Sequence, residues 1–260
     1  MEYSLLGPTG VKVSKICLGT ATFGVAPDAQ EAGRVVHAAL DLGINFFDTA
    51  NVYGATPTFD RPGAPPAIER EPAEQLLGRA LVGRRDDVVI ATKSGERRFD
   101  PAAGLSRRYI IRQVEHSLRR LGTDYIDVYY AHFPDPDTPL EQTLVVYDDL
   151  VRQGKLRYVA LSNHPAWQVT QALWIADDRH LAAAPVCARR SSTTSSIVPP
   201  KTSSPQPVSS SGCPSCRLAR CTAVCWPACR PRNGSSPVTR DSVGPGSSTP
   251  SWRSAVLSSD

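Results

Sequence analysis

Four residues suited to proton transfer stand between positions 48 and 132 of this chain: Asp48, Tyr53, Lys93 and His132. Asp48, Lys93 and His132 lie 45 and 39 residues apart, and each closes a short apolar run. A tyrosine hydroxyl ordinarily keeps its proton at neutral pH. A neighbouring ammonium stabilises the phenolate and eases proton release. In such a grouping Asp48 holds Lys93 charged and in place, and Tyr53 protonates an alkoxide as hydride reaches a carbonyl carbon. His132 steers the carbonyl oxygen by hydrogen bonding. That chemistry is carbonyl reduction, and it requires no metal ligands. Taken singly, each residue has an ordinary reading: a solvated lysine, a capping aspartate, a packed tyrosine or histidine. Their ordered recurrence is what points to a site. His37 and His116, on helical segments, keep the ordinary reading.

The elements that must position these residues follow from hydrophobic periodicity. Tyr3 to Leu6 and the β-rich stretch Val11 to Leu18, joined through Pro8-Thr9-Gly10, read as a hairpin able to cap one end of a barrel. Asp28 to Leu42 carries apolar residues at helical spacing, with Gly43 where a left-handed terminator belongs. Then strands and helices alternate: strand 45–50, helix 73–81, strand 88–92, helix 106–121, strand 126–131, helix 140–153, strand 158–161 and helix 167–175. Five strand–helix units are complete, and a sixth opens at Pro185-Val186-Cys187. Such alternation predicts a parallel sheet covered by helices, either a closed barrel or an open doubly wound sheet. The first strand–helix turn, Gly19-Thr20-Ala21-Thr22-Phe23-Gly24, lacks the glycine spacing of a dinucleotide fingerprint, which favours the barrel. In a barrel, chemistry gathers at the C-terminal strand ends. Thr20, Asp48 with Tyr53, Lys93, His132 and Ser162-Asn163 all fall there. Between Tyr53 and the helix at Ala73 lies a long Pro/Gly-rich connection, which either shapes the pocket mouth or forms a surface excursion.

Charge divides the chain in two. Residues 188–260 hold eight Arg, one Lys and two Asp, a net +7, so residues 1–187 carry −3 of the chain's +4. A weakly acidic body gives no basis for nucleic-acid or anionic-membrane partners, which leaves a small molecule. With neither a signal-like N-terminus nor a long apolar run, the expected location is cytoplasmic. The last 73 residues contain 19 Ser and 10 Pro but no Glu, Phe, Tyr or His, too little apolar surface to offset ordering entropy, so disorder is expected there. Cys213-Pro-Ser-Cys216 has zinc-knuckle spacing, but Cys221, Cys225 and Cys229 form no second such pair, so no metal site is expected.

The segments Leu18-Gly-Thr-Ala-Thr-Phe-Gly24, Phe47-Asp-Thr-Ala-Asn-Val-Tyr-Gly54, Ala91-Thr-Lys93, Leu118-Arg-Arg-Leu-Gly-Thr-Asp-Tyr-Ile-Asp127, His132-Phe-Pro-Asp135, Gly154-Lys-Leu-Arg-Tyr158 and Leu161-Ser-Asn163 resemble the bacterial aldo-keto reductases, in family order across residues 1–187. The resemblance implies a (β/α)8 TIM barrel, here incomplete at about five and a half units. It implies Tyr53 as acid, with Asp48, Lys93 and His132 completing a catalytic tetrad, and NADPH as hydride donor. Cofactor contacts are implied for Gly19, Thr20, Asp48, Ser162 and Asn163, and an aldehyde or ketone for the substrate. A regulatory relative, such as the potassium-channel β subunits that share the fold, is the other functional class. His132 favours the enzyme.

Residues 1–187 are thus read as a truncated reductase barrel and 188–260 as a separate low-complexity segment. Shifting the frame of that segment, so that each codon takes the last base of one printed codon and the first two of the next, changes its character. Residues 190–204 then admit Gln-Phe-Asn-Tyr-Leu-Val-Asp-Arg-Pro-Ala-Glu-Asp-Glu-Leu, and residues 220–229 admit Pro-Leu-His-Gly-Gly-Val-Leu-Ala-Gly-Leu. Both resemble later-strand motifs of the same family. The expectation is a reading-frame shift near residues 185–190, leaving a fragment of weak or no activity.

Overall fold

A computed structural model describes residues 1–57, 60–98 and 102–189. The expectations for residues 190–260 lie outside the described residues. The chain opens with a hairpin, β1 (Tyr3–Leu5) antiparallel to β2 (Lys12–Ser14), turned through Gly10 in the left-handed region at φ 77°. The stretch Val11 to Leu18 is not one strand, as its composition suggested. It bends at Lys15-Ile16, where the Ser14 hydroxyl donates to Ile16 O at 2.6 Å, and resumes as β3 (Leu18–Gly19) in a different sheet. Asn45 ties the two together, accepting from Ser14 N at 2.7 Å and donating to Lys12 O at 3.1 Å.

From β3 onward strand and helix alternate: α1 (Ala29–Asp41), β4 (Phe46–Asp48), α2 (Ala73–Ala80), β5 (Val89–Ser94), α3 (Arg107–Leu121), β6 (Ile126–Ala131), α4 (Leu140–Arg152), β7 (Leu156–Ser162), α5 (Ala166–Asp178) and β8 (Pro185–Arg189). Helix α1 begins because the Asp28 carboxylate accepts from Gln30 N and Glu31 N, both at 2.8 Å, satisfying two amides that no helical carbonyl can reach. Past its end stands Gly43 at φ 80°, a conformation that β-carbons disfavour. Helices α2, α4 and α5 each follow a proline, Pro72, Pro139 and Pro165, whose fixed φ directs the chain into the first turn.

Strands β3 to β8 form one parallel sheet in sequential order. Alternate residues of each strand enter different cores, as the two-residue period of a strand requires. Phe47, Ile90, Tyr129, Ala131, Val159 and Leu161 pack with the helices, against Val36, Leu77, Val114, Leu118, Leu144 and Tyr147. Phe46, Val89, Ala91, Val128, Tyr130 and Ala160 form a second cluster, into which the hairpin side inserts Leu6 and Val13. The hairpin residues meet the N-terminal part of this face. Two residues further along the same strands come the polar positions of interest.

Candidate active site

Following the second face past its apolar stretch gives the site directly. Phe46 leads to Asp48, Val89 and Ala91 to Lys93, Val128 and Tyr130 to His132, and Ala160 to Ser162, each step being two residues. The sheet is staggered, so these positions climb along successive strands. Asp48 pairs with Ala91 and Lys93 with Tyr130, while His132 follows the Ser94–Ala131 pair. Parity puts the four side chains on one face, and the stagger lets them converge at the C-terminal ends.

The Lys93 ammonium is fully buried. It lies 2.7 Å from the Asp48 carboxylate and donates to Thr49 O at 2.6 Å. A buried cation is tolerable only with such a partner, because the desolvation cost otherwise exceeds any gain. The same ammonium stands 4.9 Å from the centre of the Tyr53 ring and 5.8 Å from that of Tyr130. Tyr53 meets His132 edge to face, with ring centres 6.1 Å apart. Asp48, Tyr53, Lys93 and His132 are therefore neighbours in space. His132 is held through its backbone, its N–H donating to Ser94 O at 2.8 Å.

The residues read as cofactor contacts flank this group. Thr20 is buried against β4, its N–H and hydroxyl both donating to Asp48 O at 2.9 and 3.1 Å. Gly19, one residue before it, is exposed. Ser162 ends β7 and is buried. Asn163 follows at φ 58°, a left-handed conformation that asparagine tolerates better than most residues and that often marks a functional turn. Its side-chain amide donates to His132 O at 2.8 Å and to Ser162 Oγ at 3.2 Å, while its Oδ1 is buried without a hydrogen-bond partner. An inward-facing amide acceptor of this kind suits the carboxamide N–H of a nicotinamide ring. His164 comes next. Its Nδ1 lies 2.7 Å from Ser162 O, which can only accept, so Nδ1 carries the proton. Burial pushes its imidazolium below the ordinary value of 6.5, partly offset by that bond.

Several supporting residues were not singled out from sequence. Glu74 on α2 is fully buried and accepts from the Thr92 hydroxyl at 2.7 Å, directly beside Lys93 in the chain. Arg120 of α3 reaches Glu74 at 3.3 Å and donates to Asn51 O at 3.0 Å. A carboxylate set among Ala73, Leu76 and Leu77, on the apolar side of a short helix, was the readable signal. Asp135 accepts from Leu105 N and the Thr138 hydroxyl at 2.7 Å and from Asp137 N at 3.0 Å. Burial alone would raise its pKa, but these donors and Arg97 outweigh that and hold it below the ordinary carboxylate value. The long connection after Tyr53 is gathered on Arg70, whose side chain is buried and bonded to four other residues. A cleft of about 790 Å³ lies between residues 24–31 and 61–71, and takes in none of Asp48, Tyr53, Lys93 or His132. Among the described residues no helix is long and apolar enough to cross a membrane, and no cluster of His, Cys, Asp and Glu is arranged to hold a metal.

The model of the aldo/keto reductase family matches residues 15–191, more than half of the chain. An uncharacterized oxidoreductase, YrpG of Bacillus subtilis, is 39% identical over 188 residues, covering 69% of this chain and 54% of the relative. A probable voltage-gated potassium channel subunit beta of Arabidopsis thaliana is 38% identical over 186 residues, covering 69% and 51%. L-glyceraldehyde 3-phosphate reductase of Escherichia coli is 32% identical over 167 residues, covering 63% and 46%. The chain thus spans about half the length of the relatives it matches. A parallel strand–helix sheet, a lysine–aspartate pair at its C-terminal edge and the family match over residues 15–191 lead to one conclusion: the chain belongs to the aldo/keto reductase family.

Proposed function

We propose that this chain carries the catalytic half of an NADPH-dependent reductase of aldehydes or ketones, built on an incomplete (β/α)8 barrel over residues 1–187. The observation that supports it most is the fully buried Lys93–Asp48 pair facing Tyr53, with His132 beside the same ring. Bound nicotinamide supplies the hydride. Gly19, Thr20, Asp48, Ser162 and Asn163 are the residues that would hold it, and the buried, unpaired Asn163 Oδ1 would accept from its carboxamide. Tyr53 gives its proton to the carbonyl oxygen. Lys93 stabilises the phenolate left behind, Asp48 holds Lys93 in place, and His132 donates a hydrogen bond that orients the carbonyl. A dry site strengthens each of these interactions.

The test is NADPH oxidation with a panel of aldehydes, in the product with the alternative frame restored and in its Tyr53→Phe variant. Activity that Tyr53→Phe lowers at least ~100-fold, as expected on removing a general acid, supports the assignment. Equal rates in the two proteins would refute it. A regulatory reading has one specific support, the similarity to the potassium channel subunit beta of Arabidopsis thaliana. It predicts cofactor binding without turnover.

Residues 188–260 we infer to be a shifted reading frame, on their change of composition and on the family-like peptides that the alternative frame admits. Resequencing the gene across codons 180–200 decides this. An unbroken frame, with a soluble product that binds NADPH tightly, would overturn it. The protein is placed in the cytoplasm by the same reading, with a small carbonyl compound as its partner.

A further inference from the structure

The connection between β4 and α2 converges on a single side chain. Arg70 is 1% exposed at its side chain, and its guanidinium donates four hydrogen bonds of 2.7 Å: Nε to Gly54 O, Nη1 to Asp60 Oδ1 and Pro65 O, and Nη2 to Thr56 O. Three of the four acceptors are backbone carbonyls. A guanidinium is the one side chain whose fixed fork of five N–H groups can reach so many points of a chain at once. Nothing in a merely solvated loop requires a buried cation, and Asp60, its carboxylate partner, is half exposed. The arginine is therefore positioned to bind chain segments together.

The segment it grips carries Tyr53. Gly54 O belongs to the Gly54–Ala55 peptide, one beyond the Tyr53–Gly54 peptide, whose own carbonyl, Tyr53 O, accepts from Ala73 N at 3.0 Å three residues beyond Arg70. Gly54 sits at φ 81°, and a β-carbon there would stand 2.7 Å from Phe23 O and 2.9 Å from Ala73 N. Backbone thus packs closely against Gly54, and the two peptides that flank it are held by Ala73 N on one side and by the buried guanidinium on the other. We propose that Arg70 is a positioning residue for the proton donor: it fixes the backbone of Tyr53 against Lys93 and anchors the connection above the site. This rests on Tyr53 being the acid. Lysine would keep the charge but, as a compact ammonium, could not span residues 54, 56, 60 and 65.

Arg70→Gln, Arg70→Lys and Asp60→Asn, each in the full 260-residue chain and in the product with the alternative frame restored, test the inference by two readouts. Steady-state reduction of an aldehyde separates kcat from KM. Hydrogen exchange of the peptide covering residues 51–57 reports the backbone directly. Expected are faster exchange at 51–57 and a kcat lowered up to about 100-fold in Arg70→Gln, the scale on which misplacing a reacting group costs rate. The KM for NADPH should stay within about twofold, because the cofactor-side residues lie on or just past β3, β4 and β7. Arg70→Lys should recover only part of kcat, and Asp60→Asn should lose least. Unchanged kcat alongside faster exchange would sink the inference, as would unchanged exchange. Should Arg70→Gln fail to fold, Arg70→Lys decides on the same two readouts. If the frame-restored parent shows no turnover that depends on Tyr53, the acid assignment fails on its own, while the exchange of residues 51–57 still tells whether Arg70 holds them.

Discussion

Burying the Lys93 ammonium would cost several kcal/mol without a counter-charge, and Asp48 removes most of that cost. The pair therefore serves stability as well as chemistry. Asp48→Ala should destabilise the fold by about 3 kcal/mol, read as a shift in a denaturant midpoint, because it strands a buried cation. Replacing both charges, Asp48→Ala with Lys93→Met, should recover part of that loss while remaining inactive. A double variant less stable than Asp48→Ala alone would contradict this account. His164 makes a second prediction at this scale. Its folded-state pKa is depressed by burial, so between that value and the ordinary 6.5 the unfolded chain binds more protons than the folded one. Its contribution to stability is then complete above 6.5 and is lost as pH falls below it. Thermal midpoints measured from pH 8 to 5 should fall on acidification, and His164→Asn should flatten the slope. An identical slope in both proteins would assign the effect to other groups.

At the scale of elements, α2 and α3 approach more closely than ordinary helices do. A β-carbon on Gly78 would lie 2.5 Å from Leu121 O and 2.7 Å from Leu121 Cα. Alanine is favoured over glycine inside a helix by about 1 kcal/mol. Forcing apart two packed backbones costs about 1–3 kcal/mol. Packing should win, so Gly78→Ala is expected to destabilise by about 1–2 kcal/mol, and a stabilised variant would show that α2 can move. The elements themselves were largely legible in the sequence: β6 and the start of α4 fall where the pattern put them, and α1 ends before its glycine. What was not legible depended on distant partners. The break within 11–18 arises because Ser14 turns to Ile16 O and Asn45 grips the hairpin, contacts that no local period encodes. Strand-end polarity singled out Asp48, Lys93 and His132 because it is local, and the structure brings them together beside Tyr53. Arg70, Glu74 and Arg120 escaped notice because charged residues near helix starts and ends usually face water. The burial of Arg70 and Glu74 follows from tertiary packing, and Arg120, about a third exposed, reaches Glu74 from α3.

At the scale of the whole molecule, the chain divides by composition near residue 187, and the family match ends at residue 191. If the frame is indeed shifted there, a product with the alternative frame restored should quench its own fluorescence on adding NADPH far more strongly than the present chain does. Equal quenching would mean that residues 1–189 hold the cofactor unaided. The arrangement of the sheet has a further consequence for how such proteins tolerate change. Every site residue on β4, β5 and β7, and His132 just past β6, follows an apolar residue two places before it, and Thr92, next to Lys93, points instead to Glu74 in the helix layer. A deletion of one residue inside β5 would exchange the two destinations, sending an ammonium towards the helices and a hydroxyl into the site. Loss of two residues would keep the odd–even order and shorten only the reach. Length variation within these strands should therefore be quantised in pairs, while the connections between them are free to vary by ones, and the catalytic face is passed on as a matter of parity as much as of residue identity.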